Sequence, residues 1–175
     1  MRTKKNGFTL MELILTMAII AILSVIGIGS YTQATVKSRD TQRKGDLNQI
    51  AKAIEMFNND IGRYPDATDG VMYCPGLTGS EDPCGTKIFS YSDSQVTVYM
   101  DKVPVDPLFV SSGRTYVYVP DGNMRSFALY AAIENVEDRD VVVDADKKSS
   151  DWGVECGPSI MCNYKITEIG LIRSK

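Results

Sequence analysis

No charged residue occurs from Leu13 to Val36, and within those 24 positions Leu13 to Ile28 is almost wholly apolar. As a helix rising roughly 1.5 Å per residue, Phe8 to Ile28 would span about 30 Å, the depth of a bilayer core. A helix buried in a soluble core would show a polar face along such a run. The pattern therefore predicts a membrane or export segment. It changes at Lys37–Asp46, which is polar and mixed in charge and has the composition of a membrane-proximal helix surface. Beyond it, Leu47, Ile50, Ala51, Ile54, Phe57 and Ile61 recur at helical spacing as one apolar stripe. Gly62 and Pro65 end that stripe. One helix is predicted from about Leu10 to about Asn59, on the order of 75 Å long. Gly27, Gly29 and Gly45 are its weak points.

After residue 65 the period shortens. Gly, Pro, Asp and Ser crowd Asp66–Asp93, which reads as a surface loop. Gln95–Met100, Thr115–Val119, Ser126–Ile133 and Tyr164–Ile172 are strand-like, and Pro120–Asn123 is a hairpin turn signal. Asp138–Asp151 reads as an acidic loop. The apolar strand face is expected to pack on the Leu47–Phe57 stripe, which makes the fold class α+β. The segments expected are an apolar membrane helix reaching residue 36, an amphipathic second half at 37–62, and a globular head at 63–175 with an antiparallel sheet and a C-terminal loop region.

Composition narrows the chemistry. The chain of 175 residues is 43% apolar and 23% charged, enough for a packed core and too balanced for disorder. It contains no histidine, which removes His-based catalysis and any His-containing metal site. A formal charge of -3 argues against a polyanion-binding surface. No phosphate loop or nucleophile elbow occurs, and no enzyme activity or catalytic residue is expected.

The leader sharpens the export reading. Arg2, Lys4 and Lys5 set the N-terminus on the cytoplasmic side. Glu12, at the start of the apolar block, is an acid that an ordinary secretory signal has no use for. Lys5-Asn6-Gly7-Phe8-Thr9-Leu10-Met11-Glu12-Leu13 resembles the class III signal of type IV pilins and type II secretion pseudopilins: a basic leader, Gly, Phe-Thr-Leu-x-Glu, then an apolar run. Lys44–Pro65 and Lys102–Pro107 also resemble stretches of major pseudopilins. The resemblance implies a pilin fold, a leader at 1–7 removed by a prepilin peptidase between Gly7 and Phe8, an apolar transmembrane and assembly helix at 8–36, and N-methylation of Phe8. Losing seven residues, Arg2, Lys4 and Lys5 among them, takes the formal charge from -3 to -6.

A new amine at Phe8 stands one helical turn from Glu12, so an intrachain pair is possible. In a bundle of such helices Glu12 can instead meet the Phe8 amine of a neighbour, a register device for assembly. The resemblance further implies an assembly ATPase, a platform protein, minor pilins, and a cytoplasmic-membrane precursor with its head outside. Two versions stay open. The cysteine pairs and the region after Ile133 favour the major pilin of an extracellular type IV pilus, serving adhesion, twitching or DNA uptake. Val103–Pro107 favours the major pseudopilin of a type II secretion system, with a periplasmic filament. A membrane-tethered monomeric binding module is a further alternative, and tolerance of Glu12→Ala would identify it.

Four cysteines permit three connectivities. In an oxidising compartment two local disulfides are expected, Cys74–Cys84 and Cys156–Cys162. No cofactor is required. Asp144, Asp146 and Asp151 are weak candidates for calcium, since hard cations take carboxylates from flexible loops. Tyr116, Tyr118 and Tyr130 lack the basic surround of a nucleic-acid stacking platform and are expected to pack within strands.

Overall fold

The computed structural model describes residues 7–68, 71–72, 89–92, 96–142 and 152–172. Helix α1 runs Leu10–Ile61, and the chain divides into two compact units, Met1–Ser38 and Arg39–Lys175. The predicted apolar span takes in positions 26–30, whose side chains lie outside the described residues. Among the described residues no helix is long and apolar enough to cross a membrane.

The second unit is α+β. Short hairpins are formed by β1 (Ala67–Thr68) with β2 (Val71–Met72), and by β3 (Phe89–Ser92) with β4 (Val96–Met100). A single turn, α2 (Phe109–Ser112), precedes a four-stranded antiparallel sheet. Its strands are β5 (Val117–Pro120), β6 (Phe127–Ala131), β7 (Tyr164–Thr167) and β8 (Gly170–Leu171), in spatial order 5-6-7-8. The β5–β6 hairpin closes where Pro120–Asn123 predicts it: Asp121 N donates to the Ser126 carbonyl, and Met124 N to that of Asp121. The Asp66–Asp93 loop expectation needs correcting, because β1, β2 and β3 fall inside it. Strands this short carry too little period-2 pattern to stand out among turn residues. The expected last strand, Tyr164–Ile172, is likewise two strands joined by a turn at Glu168–Ile169, after which Gly170 (φ +102), in a backbone region that favours glycine, opens β8.

Strand β6 reads Phe-Ala-Leu-Tyr-Ala and is buried at every position. Successive side chains alternate faces. Phe127, Leu129 and Ala131 join Leu47, Ile50, Ile54 and Phe57 of α1 in the main core, so the predicted stripe meets the predicted sheet face. Edge-to-face contacts tighten it: Phe57 on Tyr99 at 5.5 Å and Tyr64 on Phe127 at 4.9 Å. On the other face, Ala128, Tyr130 and Ala132 pack with Cys156, Cys162, Trp152, Val154 and Ile160. A Cβ on Gly157 (φ +150) would stand 2.9 Å from the Gly113 carbonyl oxygen, so only glycine lets this cover approach the chain before β5. Thr115 N donates to the Cys156 carbonyl at 2.8 Å, completing that seam.

Candidate functional site

The predicted processing and assembly residues lie together at the start of α1. Residues 7–9 are non-helical and Leu10 is the first helical residue. Thr9 is the N-cap and Glu12 the third helical position. Thr9 N and Oγ1 both donate to Glu12 Oε2, at 2.9 and 2.8 Å, and Glu12 N donates to Thr9 Oγ1 at 3.3 Å. This reciprocal capping box satisfies donors that a helix start leaves unpaired. Its signal, Thr-x-x-Glu before an apolar run, stands in the sequence, although the reading above gave Glu12 to the Phe8 amine alone. The peptide bond between Gly7 and Phe8 thus precedes the helix, and Phe8 is 86% exposed.

From Leu10 to Val25 every large apolar side chain is exposed, Ile19 least at 49% and Met11 most at 76%, with Val25 equal to it. No face is polar enough to prefer water, so this surface awaits a cover.

A second cluster ties α1 to the loops of the head. Arg43 is fully buried. Its Nε and Nη2 donate to the two Asp106 oxygens at 2.7 and 3.1 Å, a bidentate pair. Its Nη1 donates to Asp40 Oδ1 at 2.7 Å and Glu134 Oε1 at 2.6 Å. Arg39 takes Glu134 in a second fork, at 2.7 and 2.6 Å. Asp40 in turn accepts the backbone N–H groups of Glu134 and Asn135, both at 2.9 Å. Lys44 bridges Asp138 and Asp140 at 2.6 and 2.9 Å, and Tyr116 Oη donates to Asp46 Oδ2 at 2.8 Å.

Hydrogen bonds from Arg39, then from Arg43, hold the Glu134 carboxyl well down, to about 2, against the opposing effect of burial. Burial disfavours the Arg43 charge, but the bonds to Asp106 and Glu134 outweigh it and raise its value. Burial likewise works against Lys44, and Asp138 and Asp140 overcome it. Asp46 is pushed up by burial, and Tyr116 by burial and by Asp46 beside it.

These positions correct the reading of Lys37–Asp46 as helix surface: Asp40, Arg43 and Asp46 are buried. Each has partners that offset its burial: Arg43 takes acids from the loops at 106 and 134, Asp40 takes Arg43 and two backbone N–H groups, and Asp46 takes the Tyr116 hydroxyl. No short spacing encodes that meeting.

Cys156 and Cys162 form a disulfide in the outer cluster. Cys74 and Cys84, and the calcium candidates Asp144, Asp146 and Asp151, lie outside the described residues. Among the described residues no group of three or more acids or cysteines is placed to hold a metal ion. The three tyrosines form no common platform. Tyr118 Oη donates to the Pro65 carbonyl at 2.9 Å, and Tyr130 packs edge-on against Trp152 with Lys165 above both rings.

Residues 2–28 match the prokaryotic N-terminal methylation motif, and residues 30–146 match the family of type II secretion system (T2SS), protein G. Type II secretion system core protein G of Pseudomonas aeruginosa is 28% identical over 131 residues, covering 74% of this chain and 84% of that protein. Type IV major pilin protein PilA of Myxococcus xanthus is 31% identical over 72 residues, 41% of this chain and 33% of that protein. No solved structure matches. With a methylation motif over the capped helix start and a family match across the rest of the helix and most of the head, this chain belongs to the type II secretion system protein G family of pilin-like proteins.

Proposed function

We propose that the chain is a structural filament subunit that polymerises through residues 8–36, and that its filament is the periplasmic pseudopilus of a type II secretion system. The observation that carries the first part is the exposed apolar surface from Leu10 to Val25. Burying each Leu or Ile side chain there is worth roughly 1.5–3 kcal/mol, available first in lipid and then among copies of the same helix. Support for the second part is the extent of likeness: the protein G family match runs over residues 30–146 and the protein G relative matches over 131 residues, whereas the match to a pilin covers 72. The extracellular pilus reading therefore becomes the second one.

On this reading the precursor is held in the cytoplasmic membrane by its apolar helix. A prepilin peptidase cuts between Gly7 and Phe8 and the Phe8 amine is methylated. A platform protein and an ATPase then extract the subunit for stacking. Glu12 passes from Thr9 to an amine, its own or a neighbour's, and no catalytic group or cofactor is needed.

The test is deletion of the gene in the native host, with intact mass and N-terminal sequencing of the wild-type chain. The expected result is a chain that begins at methylated Phe8, with loss of protein secretion and retention of surface pili. Loss of surface pili with secretion intact would assign the filament to a pilus. A chain cut near Ser30 would remove the assembly helix and overturn both readings.

A further inference from the structure

The turn α2 opens with Phe-Val, yet it buries none of its residues. Phe109 is about half exposed and Val110 is 98% exposed. Polar groups hold the turn in place instead. Asp106 accepts the Leu108 N–H on Oδ1 at 2.8 Å and the Phe109 N–H on its carbonyl at 2.9 Å. The N–H groups of Ser112 and Gly113 close the turn on the carbonyls of Leu108 and Phe109. Asp106 is itself gripped by Arg43, and the same Arg43 holds Glu134. The loop that follows Glu134 is pinned again by Lys44 and carries Val136, which is also exposed. Two loops are thus fixed on α1 between Arg39 and Lys44, and both present apolar side chains outward.

A lone exposed valine is ordinary. An apolar turn that is ordered by hydrogen bonds and buries nothing is different, because its ordering cost is met before any partner arrives. We propose that this collar, with Phe109 and Val110 at its centre, docks on the apolar helix of a second copy of this chain. The proposal rests on the filament reading above. Continuity is the first reason for that occupant: the collar is anchored on α1 from Arg39 onward, just past the assembly segment 8–36. Chemistry is the second. From Leu13 to Val36 there is no charge, and Leu10–Val25 exposes all its large apolar side chains. Among the described residues, the other exposed apolar side chains of the head, such as Val98, Val119 and Ile169, are scattered over β4, β5 and the β7–β8 hairpin. A membrane surface is the competing partner, and charge disfavours it. The 134–140 loop holds four acids and one base, and the three bases of α1 that meet it are shared with Asp40 and Asp106, so the cluster is net negative and repels anionic lipid.

The test places the photoreactive residue p-benzoylphenylalanine at position 110 of the full-length chain and assembles filaments from mixed ¹⁴N- and ¹⁵N-labelled copies. Irradiation should join position 110 to a peptide within residues 10–36, and the joined pair should carry both isotopes. Val110→Asp should cut filament yield by about tenfold, because it sets a charge against an apolar surface, and Val110→Leu should not. The melting temperature of the head should stay unchanged in both, since Val110 is almost fully exposed. Cross-links confined to one isotope would place the collar on its own chain and overturn the second copy. Cross-links to lipid in vesicles of phosphatidylethanolamine and phosphatidylglycerol, with none to protein in filaments, would assign the collar to the membrane and overturn it as well. Cross-links to a neighbour's head, or normal assembly of Val110→Asp, would overturn the docking and leave the filament reading standing. Failure of the unsubstituted chain to form filaments would sink that reading and the docking together.

Discussion

The two halves of α1 reverse the usual relation between hydrophobicity and burial. Leu10–Val25 is the most apolar stretch of the chain, and its large side chains are exposed. Residues 40–57 carry many charges, yet Leu47, Ile54, Phe57 and even Arg43 are wholly buried. What buries a side chain is a facing partner of matching chemistry. The head supplies that partner to the second half, as a sheet face for the stripe and as acids for Arg43. The first half has none, so its burial is deferred to lipid or to other copies. One half is built to finish folding alone and the other to leave folding unfinished.

Changes in each half should therefore fail differently. The largest effect is expected from Glu12→Ala: the chain is cut and inserted, filament assembly is lost, and the melting temperature of the head stays unchanged. Next comes Arg43→Ala, which takes the guanidinium from three carboxylates, Asp106 losing most because Glu134 keeps Arg39 and Asp40 keeps two backbone N–H groups, and should cost about 3–5 kcal/mol in denaturant unfolding. Arg43→Lys should recover only part, because an ammonium cannot grip Asp106 with a fork. Reduction of Cys156–Cys162 should cost about 2 kcal/mol. Trp152, the only tryptophan and a member of the outer cluster, should report that loss before the tyrosines of the main core do.

Acidification should act more mildly. The Glu134 carboxyl has its value lowered in the folded chain, so its contribution is complete above the ordinary 4.5 and fades as pH falls toward about 2. Thermal melts should lose stability across that window, and Glu134→Gln should flatten the slope. The smallest effect is expected from Thr9→Ala, which removes the cap. Amide exchange over the first turn of α1 should quicken by about fivefold while the head is unaffected.

Much of this was legible without coordinates. The helix, its stripe at Leu47–Phe57 and the β5–β6 turn rest on local period and turn chemistry, which a sequence displays directly. β1, β2 and β3 were hidden in Asp66–Asp93 because strands of two to four residues carry no readable period. Residues Gly7, Phe8 and Glu12 were readable as a motif, and so was the Thr9–Glu12 box. The Arg43 network was not. Its acids come from residues 40, 106 and 134, and only the folded topology brings them to one guanidinium.

The same spacing sets an order of events. Arg43 reaches 63 positions forward to Asp106 and 91 to Glu134, while Arg39 reaches 95. Closing loops of that size is slow compared with winding a helix. As the chain emerges N-terminus first, the apolar segment is in place long before Glu134 arrives. For that interval α1 holds its arginines in water, and the head cannot lock. The final ion pair is thus a late checkpoint: a chain truncated before residue 134 would be anchored and helical but without a closed head.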